Sequence, residues 1–245
     1  MMLLWLSLSF AQDCQVITQK DVLEVAAPAV VVLGERHGTL PDLGRARNIV
    51  RRFADRGDVT VALEAVRAEH QPTIERYENG ELSPKDLPGL LHWQEDWGFP
   101  WAPYEPLVTA AVYGAHVIAA GVKLGPKPEG VTVPLPSRYG DLLRDAMGGH
   151  ELPMGEEAGF IQAMAWRDYA IAKAAVEGWN GQGYLVILTG RGHVEGGKGV
   201  AFQASHLTDA PIHSFVLAWG EDPPCYAGDK VWKAGLFEAK PKADH

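Results

Sequence analysis

The sequence predicts one α/β domain with a mainly parallel central sheet of about five strands and helices on both faces. Three observations carry that expectation. Nearly unbroken apolar, β-branched runs of strand length recur at residues 29–33, 59–63, 115–120, 184–188 and 212–218, the composition of strands covered on both sides. Helix-period segments lie between them, and strand–helix–strand alternation favours parallel pairing through right-handed crossovers. Three of the runs also end on residues that carry chemistry: Leu33-Gly34-Glu35-Arg36-His37-Gly38, Leu63-Glu64, and Thr189-Gly190-Arg191-Gly192-His193-Val194. Ligand crevices of open α/β sheets lie outside the carboxyl ends of the strands. Glu35, His37, Glu64 and His193 are therefore expected together on one edge, where glycine lets the backbone turn sharply.

The elements follow in chain order. Residues 1–11 read as the apolar core of a signal peptide, with Ser9-Phe10-Ala11 as a small-x-small cleavage site, although no Lys or Arg precedes the run. The run is far shorter than the ~20 apolar residues of a membrane span. Export, to the periplasm or an outer-membrane-associated location, is the expectation. The two cysteines, Cys14 and Cys225, suit a disulfide in an oxidising compartment; lipid attachment at Cys14 is the alternative, against which Asp13 counts. The α/β domain is expected over residues 18–220, with 221–245 as a C-terminal extension. Residues 41–55 begin with Pro and acid and stop before Gly57, the punctuation of a helix. Further helices are expected at 104–113 and 156–177, each ending at glycine, and a small helical excursion at 138–146 sits among Gly- and Pro-rich loops. His116 falls inside a predicted strand and reads as a core residue.

The chain's 245 residues are enough to bury a sizeable core in one domain. A net charge of −9 provides no basic stripe for phosphate, which excludes nucleic acid as the expected partner. No Gly-x-Ser-x-Gly elbow, Walker loop or His-Glu-x-x-His occurs in the sequence, and the Gly190-Arg191-Gly192 start of a dinucleotide loop is not completed.

Two imidazoles and two carboxylates on one edge suit a divalent transition metal, held by His37, His193 and Glu64. They suit metal-free acid–base catalysis equally well, and the glutamates alone would also cap helix N-termini. In the long helix, Asp168 falls within the stripe Ile161, Met164, Ala165, Ile171, Ala172 and Ala175, with Arg167 at its margin. A carboxylate on a buried face needs a partner. Asp168 therefore either orients a site group or closes a structural ion pair. The segment His92-Trp93-Gln94-Glu95-Asp96-Trp97-Gly98-Phe99-Pro100-Trp101 offers a wall for a planar apolar ligand or for a dimer contact, or a loop packed on its own aromatics.

With these residues in place, the sequence resembles the ChaN family of haem-binding bacterial lipoproteins, within the wider Tiki and erythromycin-esterase-like grouping. The resemblance spans about residues 29–202. It rests on Leu33-Gly34-Glu35-Arg36-His37, Leu63-Glu64 with Gln71, and Trp93 through Trp97-Gly98-Phe99 to Tyr104-Glu105-Pro106. It continues through Val117-Ile118-Ala119, Gln162 with Arg167-Asp168, and Gly190-Arg191-Gly192-His193-Val194 with Lys198-Gly199-Val200. The resemblance implies an α/β fold, an envelope location and haem binding linked to iron uptake. The cofactor-facing candidates are His92, Trp97, Tyr104, Arg167 and Asp168; the family's axial ligand does not carry over, and His92 and Tyr104 are the axial candidates this chain itself offers. The resemblance also implies a homodimer, because a helical insertion helps form the family's haem and dimer surface. Here that insertion is short, and Gly121-Val122-Lys123 stands where the family carries Asn and Arg. In the wider grouping, the elements matching Glu35, His37, Glu64 and His193 resemble parts of a metal or hydrolytic site. Two readings are thus open: a haem-binding envelope protein, and a metal-dependent hydrolase that uses the strand-edge cluster.

Overall fold

The computed structural model of the chain describes residues 14–123, 125–146, 156–219, 226 and 228–234. Seven strands run through them: β1 (Gln15–Ile17), β2 (Ala29–Glu35), β3 (Val59–Arg67), β4 (His116–Gly121), β5 (Tyr184–Gly190), β6 (Ile212–Trp219) and β7 (Lys230–Ala234). They form one sheet, parallel at every pairing, in the order β1-β7-β6-β2-β5-β3-β4. All five expected strands are present. β1 and β7 bring the number to seven, because three residues in β1 and the charged sequence Lys-Val-Trp-Lys-Ala in β7 carry no continuous apolar run. The sheet thus begins before residue 18 and continues into the segment read as an extension. Residues 1–11 and Cys225 lie outside the described residues.

Nine helices accompany the sheet among the described residues. They are α1 (Gln19–Leu23), α2 (Leu40–Ala54), α3 (Gln71–Glu78), α4 (Leu87–Leu90), α5 (Trp93–Asp96), α6 (Trp101–Val108), α7 (Tyr139–Ala146), α8 (Glu157–Gly178) and α9 (Val200–Ala204). None is long and apolar enough to cross a membrane. Successive strand side chains point to opposite faces, and both faces are covered. Val31, Leu33, Val61, Leu63, Val186 and Leu188 pack with Leu43, Ile49 and Phe53 of α2 and Leu107 of α6. Val30, Val32, Ala62, Leu185 and Ile187 pack with Ile171, Ala172 and Ala175 of α8 and Val200 and Ala204 of α9. Double coverage is why the central strands read as unbroken apolar runs rather than as alternating ones.

The start of α2 is fixed by charge as well as by packing. Buried Asp42 accepts the Arg36 amide at 3.0 Å and an Arg45 guanidinium N–H at 2.5 Å. Arg45 also donates to the carbonyls of Ala218, at 2.9 Å, and Trp232, at 2.5 Å. One arginine therefore ties the loop after β2 to the ends of β6 and β7. His116, expected in the core, is instead exposed at the first residue of β4, its Nδ1 2.9 Å from Glu78. A strand's first residue lies at the rim of the sheet, outside the helix cover.

β3 shifts register against β4 between Leu63 and Arg67, and the irregularity sits directly over Gly121. A Cβ there would lie 2.1 Å from the Glu64 carbonyl oxygen and 3.0 Å from that of Val66. Gly121→Ala is therefore expected to destabilise the fold by ~1–3 kcal/mol, as overpacking against unyielding backbone does. Gly159→Ala, at an open position in α8 with nothing within 4 Å, should be neutral or stabilising by ~0.4–1 kcal/mol. Urea denaturation of the two variants checks the contrast.

Candidate functional site

Leu33, Leu188 and Leu63 are register partners across β2, β5 and β3, so Glu35, Gly190 and Glu64 emerge together at the carboxyl edge. Strand alternation then separates the two acids. Glu35 shares the parity of Val31 and Leu33 and turns to the α2–α6 face. Glu64 shares that of Ala62 and turns to the α8 face.

On the first face, Glu35 is 2% exposed. Its Oε1 accepts the Tyr104 hydroxyl at 2.8 Å and lies 2.6 Å from His37 Nδ1. The Tyr104 oxygen in turn accepts the Gly38 amide at 2.9 Å. Glu35 Oε2 is buried without a hydrogen-bond partner among the described residues. Burial pushes the Glu35 carboxyl up, against the pull of His37 and Tyr104. Burial and the adjacent Glu35 also push the Tyr104 phenol up, so it stays a neutral donor. The His37 ring is partly exposed and meets Trp97 edge-on at 4.6 Å and Phe99 at 5.3 Å. It crosses the end of β5 because residue 190 has no side chain: a Cβ on Gly190 would lie 2.7 Å from His37 Cε1 and 2.8 Å from Nε2.

On the second face, every oxygen of Glu64 is engaged. Oε1 accepts Arg167 at 2.6 Å and lies 3.4 Å from His193 Nε2. Oε2 accepts the Thr189 hydroxyl at 2.6 Å and the Gly190 amide at 2.7 Å. The other His193 nitrogen, Nδ1, lies 2.5 Å from Asp168 Oδ1, and the Tyr139 hydroxyl donates to Asp168 Oδ2. Asp168 is fully buried and His193 nearly so. Burial alone would raise the Glu64 carboxyl, but His193, Arg167 and His37 outweigh it and hold the group well below the usual carboxylate range. Burial would lower His193, but Glu64 and Asp168 flank it and push it up to about 10. Burial pushes the Asp168 carboxyl up, against the pull of His193 and Tyr139. The second face is thus a buried ion cluster whose imidazole is an acid at neutral pH, whereas Glu35 leaves His37 one nitrogen directed at the edge.

The fold brings Glu35, His37, Glu64 and His193 together, with Arg167 and Asp168 from α8. Trp97 and Tyr104 join them through His37 and Glu35. Tyr104 is 1% exposed with its hydroxyl committed, which takes it away from any open axial position. His92 stands apart: it is exposed, has left-handed backbone angles (φ 45°, ψ 42°), and its ring stacks on His70 with centroids 5.7 Å apart. His37, Glu64 and His193 do not converge as a metal donor set, since Glu64 and His193 are already engaged by protein groups. The described His and carboxylate donors that do gather are Glu69, His70 and Asp96. Sequence reading missed Tyr139, Thr189 and Arg67. Tyr139 opens a short helix remote in sequence from its partner, and Thr189 reads as strand. The three-residue step from Arg67 to His70, past the end of β3, was the available signal.

Beside the cluster opens a cleft of about 310 Å³ lined by Glu64, Ala65, Arg67, Asp96, Trp97, Val122, Lys123 and Arg167. Three cations face two acids there, a local positive excess in a chain of net charge −9.

Three expectations follow from the buried ions. His193 is raised in the fold, so its contribution to stability is full below its unfolded value of about 6.5 and is lost as pH rises toward about 10. Unfolding free energy should therefore fall between those limits in the parent chain and more shallowly in His193→Gln. Glu64 runs the other way: its contribution is present above the ordinary glutamate range and lost as pH falls below it. Asp168→Ala strips the buried imidazolium of one counter-charge and should cost ~3–5 kcal/mol; an unchanged denaturation midpoint would contradict this.

Known proteins share this chain's sequence pattern and its fold. The family model described as haem-binding uptake, Tiki superfamily, ChaN matches residues 22–127 and 124–203. Among solved structures, ChaN of Campylobacter jejuni, reported with cofacial haem binding, superposes with a TM-score of 0.66 at 19% identity, covering 87% of this chain and 89% of that one. The type III effector HopBA1 superposes at 0.50 and 14% identity over 84% and 87% of the two chains. The C-terminal region of Pasteurella multocida toxin, reported to carry a thiol-protease-like catalytic triad, superposes at 0.51 and 13% identity, over 87% of this chain and 27% of the toxin chain. No curated protein sequence matches significantly. At these identities the solved structures establish the fold, and the family model, which spans most of the chain, establishes membership: the chain belongs to the haem-binding ChaN family of the Tiki superfamily.

Proposed function

We propose that this protein binds haem at the cleft beside the strand-edge cluster and serves haem or iron uptake in the bacterial envelope. The observation that carries the reading is the cleft itself, with Arg67, Lys123 and Arg167 beside the indole of Trp97. Haem is a flat apolar ring with two carboxylates at one edge, and it needs an apolar wall, cations and an axial donor. The residues fit that requirement. Trp97 supplies apolar surface, the three cations suit the propionates, and exposed His92, stacked on the His70 ring that meets Asp96 at the rim, is the available imidazole. Haem bound there would supply iron-centred ligand exchange; the protein's part is to hold the ring and its carboxylates. Cys14 is disulfide-bonded, which supports an oxidising compartment and with it the export expected from residues 1–11. The cofacial haems reported for ChaN of Campylobacter jejuni make a homodimer part of the proposal.

A second reading, hydrolysis at the strand edge, is favoured by one observation. Glu35 fixes His37 at Nδ1 and leaves the other nitrogen over Gly190, at the end of β5, to act as a base. That is an imidazole oriented by a carboxylate, the arrangement of a general base.

Haemin titration separates the two. Haem binding predicts a saturable Soret shift that His92→Ala abolishes and that Lys123→Glu weakens by about tenfold, the order of one lost or reversed charge pair. Lys123 is exposed, so its reversal leaves the fold intact. His37→Ala should keep the shift. No saturable shift, or a shift indifferent to His92 and Lys123, refutes haem binding at this cleft and leaves the acid–base reading.

A further inference from the structure

A second group of donors lies on the rim of the cleft, outside the strand-edge cluster. Where β3 ends, a 3₁₀ turn (Ala68–His70) carries Glu69 and His70, and Asp96 closes α5 above it. One ligand atom from each of Glu69, His70 and Asp96 lies within 4.8 Å of the others. His70 Nε2 and Asp96 Oδ2 are 3.0 Å apart. Two ligand atoms of a tetrahedral ion at about 2.1 Å are separated by about 3.4 Å, so the pair need open by only a few tenths of an ångström to take one. Arg67 holds the other Asp96 oxygen at 2.8 Å and lies 3.8 Å from Glu69. It thereby orients the carboxylate from outside, as the outer partners of metal ligands do. The stacked His92 ring holds the plane of His70. With His70 neutral, two carboxylates and one guanidinium leave the group one negative charge, so a divalent cation is attracted despite Arg67.

We propose that Glu69, His70 and Asp96 form a binding site for one first-row divalent transition-metal ion, distinct from haem iron and from the buried ion cluster. An imidazole among the ligands selects zinc, nickel, cobalt or iron over magnesium and calcium, which prefer all-oxygen sets. Binding takes the place of the His70 Nε2–Asp96 hydrogen bond, and the neutral ring keeps its single N–H on Nδ1. Glu69, which is mostly exposed, swings onto the ion, and water completes the coordination. The site needs neither the haem reading nor the hydrolytic one. Because it adjoins His92, zinc and haemin are titrated separately.

The test is isothermal titration of the haem-free full chain with Zn²⁺. One site is expected to stand out above the background of a chain with nine histidines. Loss of an outer partner of a metal ligand costs roughly 10–100-fold in affinity, so His70→Ala and Glu69→Gln should each weaken the site by at least about tenfold. His37→Ala, which removes a strand-edge imidazole, should leave it unchanged. Glu69→Gln alters an exposed side chain and decides the matter even where His70→Ala folds poorly. Retention of full affinity in Glu69→Gln or in a folded His70→Ala, loss in His37→Ala, or no saturable Zn²⁺ site at all overturns the proposal.

Discussion

The buried carboxylate of Glu64 is the constraint around which this structure is arranged. A lone ionised carboxylate at that depth is prohibitively costly, and three separate elements supply what it requires. β5 gives the Thr189 hydroxyl and the Gly190 amide, α8 gives Arg167, and the turn after β5 gives His193. Asp168 and Tyr139 then complete the shell around His193. A buried ion network of this kind contributes little net stability over an apolar core of the same volume, but removing one member leaves a stranded charge. That asymmetry fixes the register of β3 against β5 and the rotation of α8 about its axis. A slip of either would leave Glu64 or Asp168 unpaired.

Strand parity explains why the edge has two different chemistries. Glu35 on β2 and Glu64 on β3 flank the end of β5 on opposite faces of the sheet, so one meets a tyrosine and a partly exposed histidine and the other meets two cations. Glu35 is pushed up and Glu64 pulled down. Pairs of acids whose surroundings drive them apart are a recurring mark of functional sites. Gly190 lets the two halves communicate. With no side chain there, His37 lies across the strand end close enough to add to the field that keeps Glu64 ionised.

Much of this was legible in the sequence, for reasons that can be named. The central strands showed as apolar runs because both their faces are covered, and the four edge residues showed because each directly follows such a run. Asp168 showed because a carboxylate interrupts an apolar helical stripe. Other features depend on contacts that no local pattern encodes. β1 and β7 are edge additions whose short or charged sequences resemble loops, so the sheet was read as five strands. His116 was placed in the core because period-2 logic does not say where a strand's helix cover begins. Tyr139 reaches Asp168 across 29 residues, and Asp96 reaches His70 across 26. Neither separation leaves a trace in composition or period. Residue types that suit a metal suit a buried ion cluster equally, and at this edge Arg167 and His193 hold the Glu64 carboxylate.

Arg167 joins the cluster to the cleft. One of its terminal nitrogens is bound to Glu64 at 2.6 Å, while its Nε is buried without a partner among the described residues. Burying a guanidinium N–H unpaired is unfavourable, and the same side chain lines the cleft. An anion entering the cleft therefore finds a donor that is already desolvated and need not be taken from Glu64. Arg67 differs, since its hydrogen bond to Asp96 must be shared with any newcomer. Lys123 differs again, as an exposed and hydrated charge. The three cations thus form a gradient from pre-organised to adaptable, running outward from the sheet edge. A ligand carboxylate gains most by reaching inward to Arg167, which would bring the apolar body of the ligand against Trp97 and, through Trp97, against His37.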